Sequence, residues 1–198
     1  MAVDEVGLCN MALVLVGEDR INALTEDNKP ARFCNEHYAN IRDRVLRSGS
    51  WNVATKRAAL ALDATAPAFE FTNAFQLPTD FLRLVKKENP RVDHRIEEDR
   101  LLSSESTMNI KYVFRLIDVS KMDPLLQDAI AALLGAELAI PIAQNLNLYR
   151  SLMTVYAEKL AEARLQDSLE GPIEVIESTA WVDARVGTGE PFRRITPV

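Results

Sequence analysis

Hydrophobic spacing changes period twice along this 198-residue chain, from helical to alternating and back, and any fold it adopts must accommodate both changes. Near the start, Leu8, Cys9, Ala12, Leu13 and Val16 recur at helical steps, which predicts a helix over about residues 4–16 with Asp4 as its N-cap. Gly17-Glu18-Asp19 closes it. A second helix is expected after Asn28, with Pro30 in its first turn, running to residue 47. Cys34, Tyr38, Ile41 and Val45 mark its buried face, and Ser48-Gly49-Ser50 is its stop signal.

Between residues 51 and 119 the helical period is lost. Phe69, Phe71 and Phe75 alternate, and Leu82-Arg83-Leu84-Val85 and Lys111-Tyr112-Val113-Phe114 fit short strands better than helical turns. Glu88-Asn89-Pro90 and Glu97-Glu98-Asp99 read as turns. Pro67, Pro78 and Pro90 belong at edges or in loops, because proline cannot donate to a strand ladder. The expectation is a small, mostly antiparallel sheet of three to five short strands.

Helical spacing resumes at Asp123-Pro124, an N-cap followed by a proline where a missing amide hydrogen costs nothing. Leu126, Ala129, Ile130, Leu133, Leu134 and Leu138 face a core, and Ala131, Ala132, Gly135, Ala136 and Ala139 keep the helix narrow enough for close neighbours. Pro141 should end it near residues 138–140. A last helix starts near Asn145 or Asn147 and continues to about Ser168, burying Tyr149, Leu152, Met153, Tyr156, Leu160 and Ala163. Glu158, Lys159, Glu162 and Arg164 face outward, and Gly171-Pro172 stops the helix. At 1.5 Å per residue it would be a rod of roughly 36 Å, long enough for the spine of a bundle.

The fold class that follows is α+β: a bundle of about four helices, a small antiparallel sheet inserted between the second and third, and an extended C-terminal tail. The bundle would comprise residues 1–50 and 122–170, the inserted lobe residues 51–121, and the tail residues 171–198. The tail has no helical period, yet it contains Trp181, Phe192, Ile195 and the pair Arg193-Arg194. These five are the candidate anchors for a neighbouring subunit or another protein, with ordering on contact. A strand or loop packed on its own domain is the competing reading.

Composition excludes several functions. The chain is 47% apolar and 26% charged, with no apolar run long enough to span a membrane. Its first residues lack a basic region ahead of an apolar core, so synthesis in a cytoplasm is expected. Cys9 and Cys34 each lie on an apolar helical stripe and read as buried reduced thiols, and two cysteines and two histidines far apart argue against zinc. With net charge -6, the chain lacks the basic stripe of a nucleic-acid-binding protein. Lys86-Lys87 and residues 91–100 mix cations with acids and read as a solvated face or a subunit contact.

No cofactor or catalytic motif emerges. Gly187-Thr188-Gly189 is not framed by a strand and a helix as a phosphate loop would be. His37 has no second histidine four residues away, and His94 falls in a charged loop, where solvation is its ordinary fate. Glu97, Glu98 and Asp99 are acids in a polar turn, whereas general acid–base work needs an enclosing cleft. Two rival readings are a non-viral helical adaptor or regulatory subunit, and a small enzyme whose residues converge from distant positions.

The order of several short motifs resembles the tail tubular protein A, or head-to-tail adaptor, family of tailed bacteriophages. They are Leu8-Cys9-Asn10-Met11-Ala12-Leu13 with Gly17-Glu18 and Ile21-Asn22-Ala23-Leu24, then residues 31–46 leading into Trp51-Asn52-Val53-Ala54 and residues 57–60. Leu77-Pro78-Thr79-Asp80-Phe81-Leu82-Arg83 follows, then Met122-Asp123-Pro124-Leu125-Leu126 with Ala136-Glu137-Leu138-Ala139. The similarity spans residues 4–168 and has no match in the loops of residues 88–109 or in the tail. The resemblance implies a structural virion protein in the neck, assembled as a dodecameric ring between the portal protein and the downstream tail or nozzle protein. DNA would pass through its channel without sequence-specific binding. The bundle would form the ring wall, the sheet would meet the next tail component, and the tail would reach the portal.

Overall fold

The structure is a computed structural model that describes residues 3–170. Among the described residues there are four α-helices: α1 (Glu5–Val16), α2 (Lys29–Ser48), α3 (Pro124–Ala139) and α4 (Leu146–Leu169). Each begins at a side chain that accepts a hydrogen bond from an amide the helix itself cannot satisfy. Asp4 accepts from Gly7, Asn28 from Ala31, Asp123 from Leu125 and Asn145 from Leu148. α1 ends at Gly17 in the left-handed region (φ 80°), where its amide reaches back to the carbonyls of Leu13 and Val14.

Between α2 and α3 lie six strands, β1 (Thr55–Leu60), β2 (Asn73–Gln76), β3 (Phe81–Lys87), β4 (His94–Glu97), β5 (Arg100–Ser103) and β6 (Met108–Phe114). They form two three-stranded antiparallel sheets, ordered β1-β6-β3 and β2-β5-β4. The expected single sheet of three to five strands is thus replaced by a pair of sheets. The expected Phe69–Phe71 strand is absent: Phe69 stands 78% exposed in a loop, and only Phe75 of that alternation enters a strand. Pro67, Pro78 and Pro90 all lie outside strands. The expected turn at Glu97-Glu98-Asp99 narrows to Glu98 and Asp99, and His94 begins β4 instead of sitting in a loop.

The apolar interior has two parts. The larger draws on all four helices and on Trp51, Ala54, Leu82, Val113 and Leu116, which reach it from the inserted segment and its flanks. The smaller fills the space between the sheets with Phe75, Leu77, Leu101, Met108, Ile110 and Tyr112. Phe114 touches both. α3, not the longer α4, is the spine: 12 of its 16 residues are buried, whereas only Leu152 and Ala163 of α4 are. The small residues of α3 act as expected, since a Cβ on Gly135 would come within 3.2 Å of the Ala12 carbonyl and 3.3 Å of Leu15.

The cysteines meet in this core. Cys9 and Cys34 are both free and fully buried, and the Cys9 thiol is pushed up by its hydrogen bond with Cys34 and by burial. Among the described residues no group of three or more His, Cys, Asp or Glu is arranged to hold a metal ion, and no helix is long and apolar enough to cross a membrane.

Candidate interface at the junction and on the inserted lobe

The join between helices and strands is built around the last turn of α2. Its carbonyls have no backbone amide of the helix to pair with, and guanidinium groups from two other elements reach this end. Arg83 of β3 donates to the Gly49 carbonyl at 2.7 Å and to the Ser50 hydroxyl at 2.8 Å, and Arg164 of α4 donates to the Ser48 carbonyl at 2.7 Å. In return, Arg47 of α2 donates to the Leu82 carbonyl at 2.5 Å. Positive charge at a helix C-terminus also complements the helix dipole.

Trp51 wedges under this turn. It is 2% exposed, and its indole N–H donates to the Val45 carbonyl at 3.1 Å. Gly49 has an extended backbone that any residue can adopt, so its small size answers to space alone: a Cβ there would lie 2.7 Å from the Trp51 ring. Asn52 then clamps α4, donating from its backbone amide to Asp167 Oδ1 at 2.8 Å and from its side chain to the Asp167 carbonyl at 2.7 Å. Burial raises the Asp167 pKa despite the opposing bond from Asn52.

Asp80 fastens the lobe internally. Its carboxylate accepts from Lys56 Nζ at 2.6 Å and from the Tyr112 hydroxyl at 3.0 Å, while its carbonyl accepts the Arg115 amide at 2.7 Å. Burial pushes the Asp80 carboxyl up, but Lys56 and Tyr112 outweigh it and leave the pKa lowered. Tyr112 is pushed up to about 12 by burial and by the carboxylate beside it. Lys56 also lies 3.9 Å from the centroid of the Phe114 ring. Farther along, Asp43 holds buried Arg42 through two bonds of 2.9 and 2.8 Å and Arg115 through one of 2.7 Å, tying α2 to the segment after β6.

The outer face of the β1-β6-β3 sheet is covered by helices at one end and open at the other. At the open end, Arg57 of β1 pairs in register with Lys111 of β6, which pairs with Lys86 of β3. Residues directly opposite in a sheet project from the same face, so three cations form one row across three strands. They line an open groove of about 580 Å³ together with Ala59, Lys87, Glu88 and Asn109. Lys86 thus keeps an acid, Glu88, among its neighbours there, as its charge run suggests. Strand pairing separates the two lysines, Lys86 opposite Lys111 and Lys87 opposite Ile110.

Other expected residues fall as follows. Trp181, Phe192, Arg193, Arg194 and Ile195 lie outside the described residues. His37 stacks on Phe33 with ring centroids 5.9 Å apart. Burial, then Lys87, lowers the His94 pKa. Glu97 pairs with Arg95 at 3.6 Å and Asp99 with Arg100 at 3.9 Å, so these acids are engaged in ion pairs of the second sheet. Nearby, Leu62, Phe69 and Ile96 are exposed at 56%, 78% and 40% and give the lobe apolar contacts to offer. Neither the protein-family models nor the curated proteins searched contain a match to this chain.

Proposed function

We propose that this protein is a subunit of the head-to-tail adaptor ring of a tailed bacteriophage, docking on the portal protein and leading DNA toward the tail. One observation carries the reading. The motifs that resemble the adaptor family supply the joints of this fold. Asn10 and Ile21, from two separate motifs, exchange a pair of 2.8 Å hydrogen bonds that pin the loop after α1. Trp51 forms the wedge under α2, Asp80 the internal clamp of the lobe, and Asp123-Pro124 the start of the central helix. Such shared residues support a shared framework, and in that family the framework serves assembly.

In this reading the helices form the wall, the two-sheet lobe meets the next tail component, and the segment after residue 170 engages the portal through Trp181, Phe192, Arg193, Arg194 and Ile195. Catalysis and cofactors have no part in it. Negative-stain microscopy of the protein mixed with its portal should show rings stacked on the portal, and a chain truncated after Glu170 should stay folded but lose that stacking. A protein that remains a monomer or dimer beside intact portal rings would defeat the proposal and favour a helical adaptor of another kind.

A further inference from the structure

We infer that the root of the C-terminal segment is strapped to the body of its own chain, with Ile173 seated in a cleft between Trp51, the start of α3 and the end of α4. The described residues stop at Glu170, the C-cap of α4, and Glu170 itself lines this cleft. The inference concerns residues 171–176 alone, so it goes beyond the adaptor reading and is tested apart from it.

The cleft suits one branched aliphatic side chain. Its volume is about 140 Å³, close to that of the roughly 150 Å³ apolar cavity that can hold a benzene ring. Trp51, Val53, Met122, Leu126 and Ala163 give it apolar walls. Val53 stands 38% exposed on the short turn Asn52–Ala54, whereas the other four are buried. Three charged groups at the mouth are already engaged. Asp123 accepts the Leu125 amide at 2.8 Å, Asp167 accepts the Asn52 amide at 2.8 Å, and Lys121 pairs with Asp118 at 3.4 Å. What the cleft offers an occupant is therefore apolar surface, with Val53 the side chain that gains most from cover.

Chain geometry selects the occupant. Gly171 and Pro172 follow the cap, a glycine that can take the left-handed turn closing a helix and a proline that cannot extend one. Ile173 is the first aliphatic side chain beyond them, and three residues of chain reach at most about 11 Å. An apolar residue just past a helix end that folds back on the last turns is a frequent companion of such caps. A tether this short holds Ile173 at millimolar effective concentration beside the cleft, ahead of any dilute external partner. The strap also fixes the point from which the five anchors extend. From Ile173 to Trp181 is eight residues, a reach of at most about 29 Å.

Glutamyl endopeptidase acting on the full chain tests this, because it can cut after Glu174 inside the strap and after Glu177 just beyond it. Proteolysis of a segment that must first open tracks its open population, so cleavage after Glu174 should speed up about tenfold in Val53→Asp, which spoils the cleft without altering the segment. Cleavage after Glu177 should stay within about twofold of the wild type. Leu62→Asp, at a site 56% exposed on the inserted lobe, is the control and should leave both rates unchanged. Thermal unfolding followed by circular dichroism checks the folding of each variant and adds a second reading. A chain ending at Ile176 should unfold at the temperature of the full chain, whereas a chain ending at Glu170, and the full chain with Ile173→Ser, should unfold roughly 3–6 °C lower. The proposal fails if Val53→Asp leaves the Glu174 rate unchanged, or if the two shortened chains unfold at the same temperature. Protection of Glu174 that grows with protein concentration would assign the cleft to the segment of a second copy and overturn it as well.

Discussion

Single side chains in this molecule differ sharply in what their loss should cost. Asp43 neutralises Arg42, whose side chain is only 7% exposed, so Asp43→Ala strands a buried charge. Breaking one side of such a pair costs roughly 3–5 kcal/mol, measurable by urea denaturation. Tyr38 is the opposite case: its buried hydroxyl has no hydrogen-bond partner among the described residues, and Tyr38→Phe should be neutral or slightly stabilising in the same assay. Asp80 carries a sign that can be worked out. Its pKa is lowered in the folded state, so its contribution is present above its ordinary value of 3.8 and is lost as pH falls through the lower folded value. Asp80→Asn should therefore lower stability at neutral pH by about 1–3 kcal/mol and flatten the acid limb of the stability curve. A variant as acid-sensitive as the wild type would contradict the clamp.

At the level of elements, helices were legible in the sequence and four of the six strands were not. Asp4, Asn28 and Asp123 announced helix starts, and Asn145 was one of two candidates for the fourth, because capping is local chemistry, decided within three residues. β1 and β4 gave no comparable signal: β1 reads Thr-Lys-Arg-Ala-Ala-Leu, and every residue of β4 is exposed, so neither carries an apolar alternation. Phe69 misled in the other direction, since aromatic residues raise strand propensity whether or not a partner strand arrives. The Arg57–Lys111–Lys86 row was invisible for a related reason, because pairing between distant strands creates it. The prominence of α3 depends on neighbours on all sides, which a single helix's pattern does not reveal. Amides in the middle of α3 should accordingly exchange with deuterium more slowly than those of the half-exposed α4. Faster exchange in α3 would contradict its place as the spine.

Across the whole molecule, the two cores share Phe114, and the strand β6 that carries it contributes Val113 to one core and Tyr112 to the other. The cores should then unfold together. With Trp181→Phe in the background, Trp51 fluorescence reports the helical core alone, and Leu101→Ala in the distant sheet core should shift its midpoint in step with far-ultraviolet dichroism. Leu101 is fully buried, so the loss should be roughly 2–5 kcal/mol. Two separate transitions would show the cores to be independent. The same geometry has a use for protein engineering. Thr55 and Val113 are register partners, so the chain departs from the helices and comes home at neighbouring points, about 5 Å apart. The segment between them still lends Leu82 to the helical core and Arg83 to the end of α2, so a short hairpin spliced across the two points should give a helical host that folds with a lower melting midpoint.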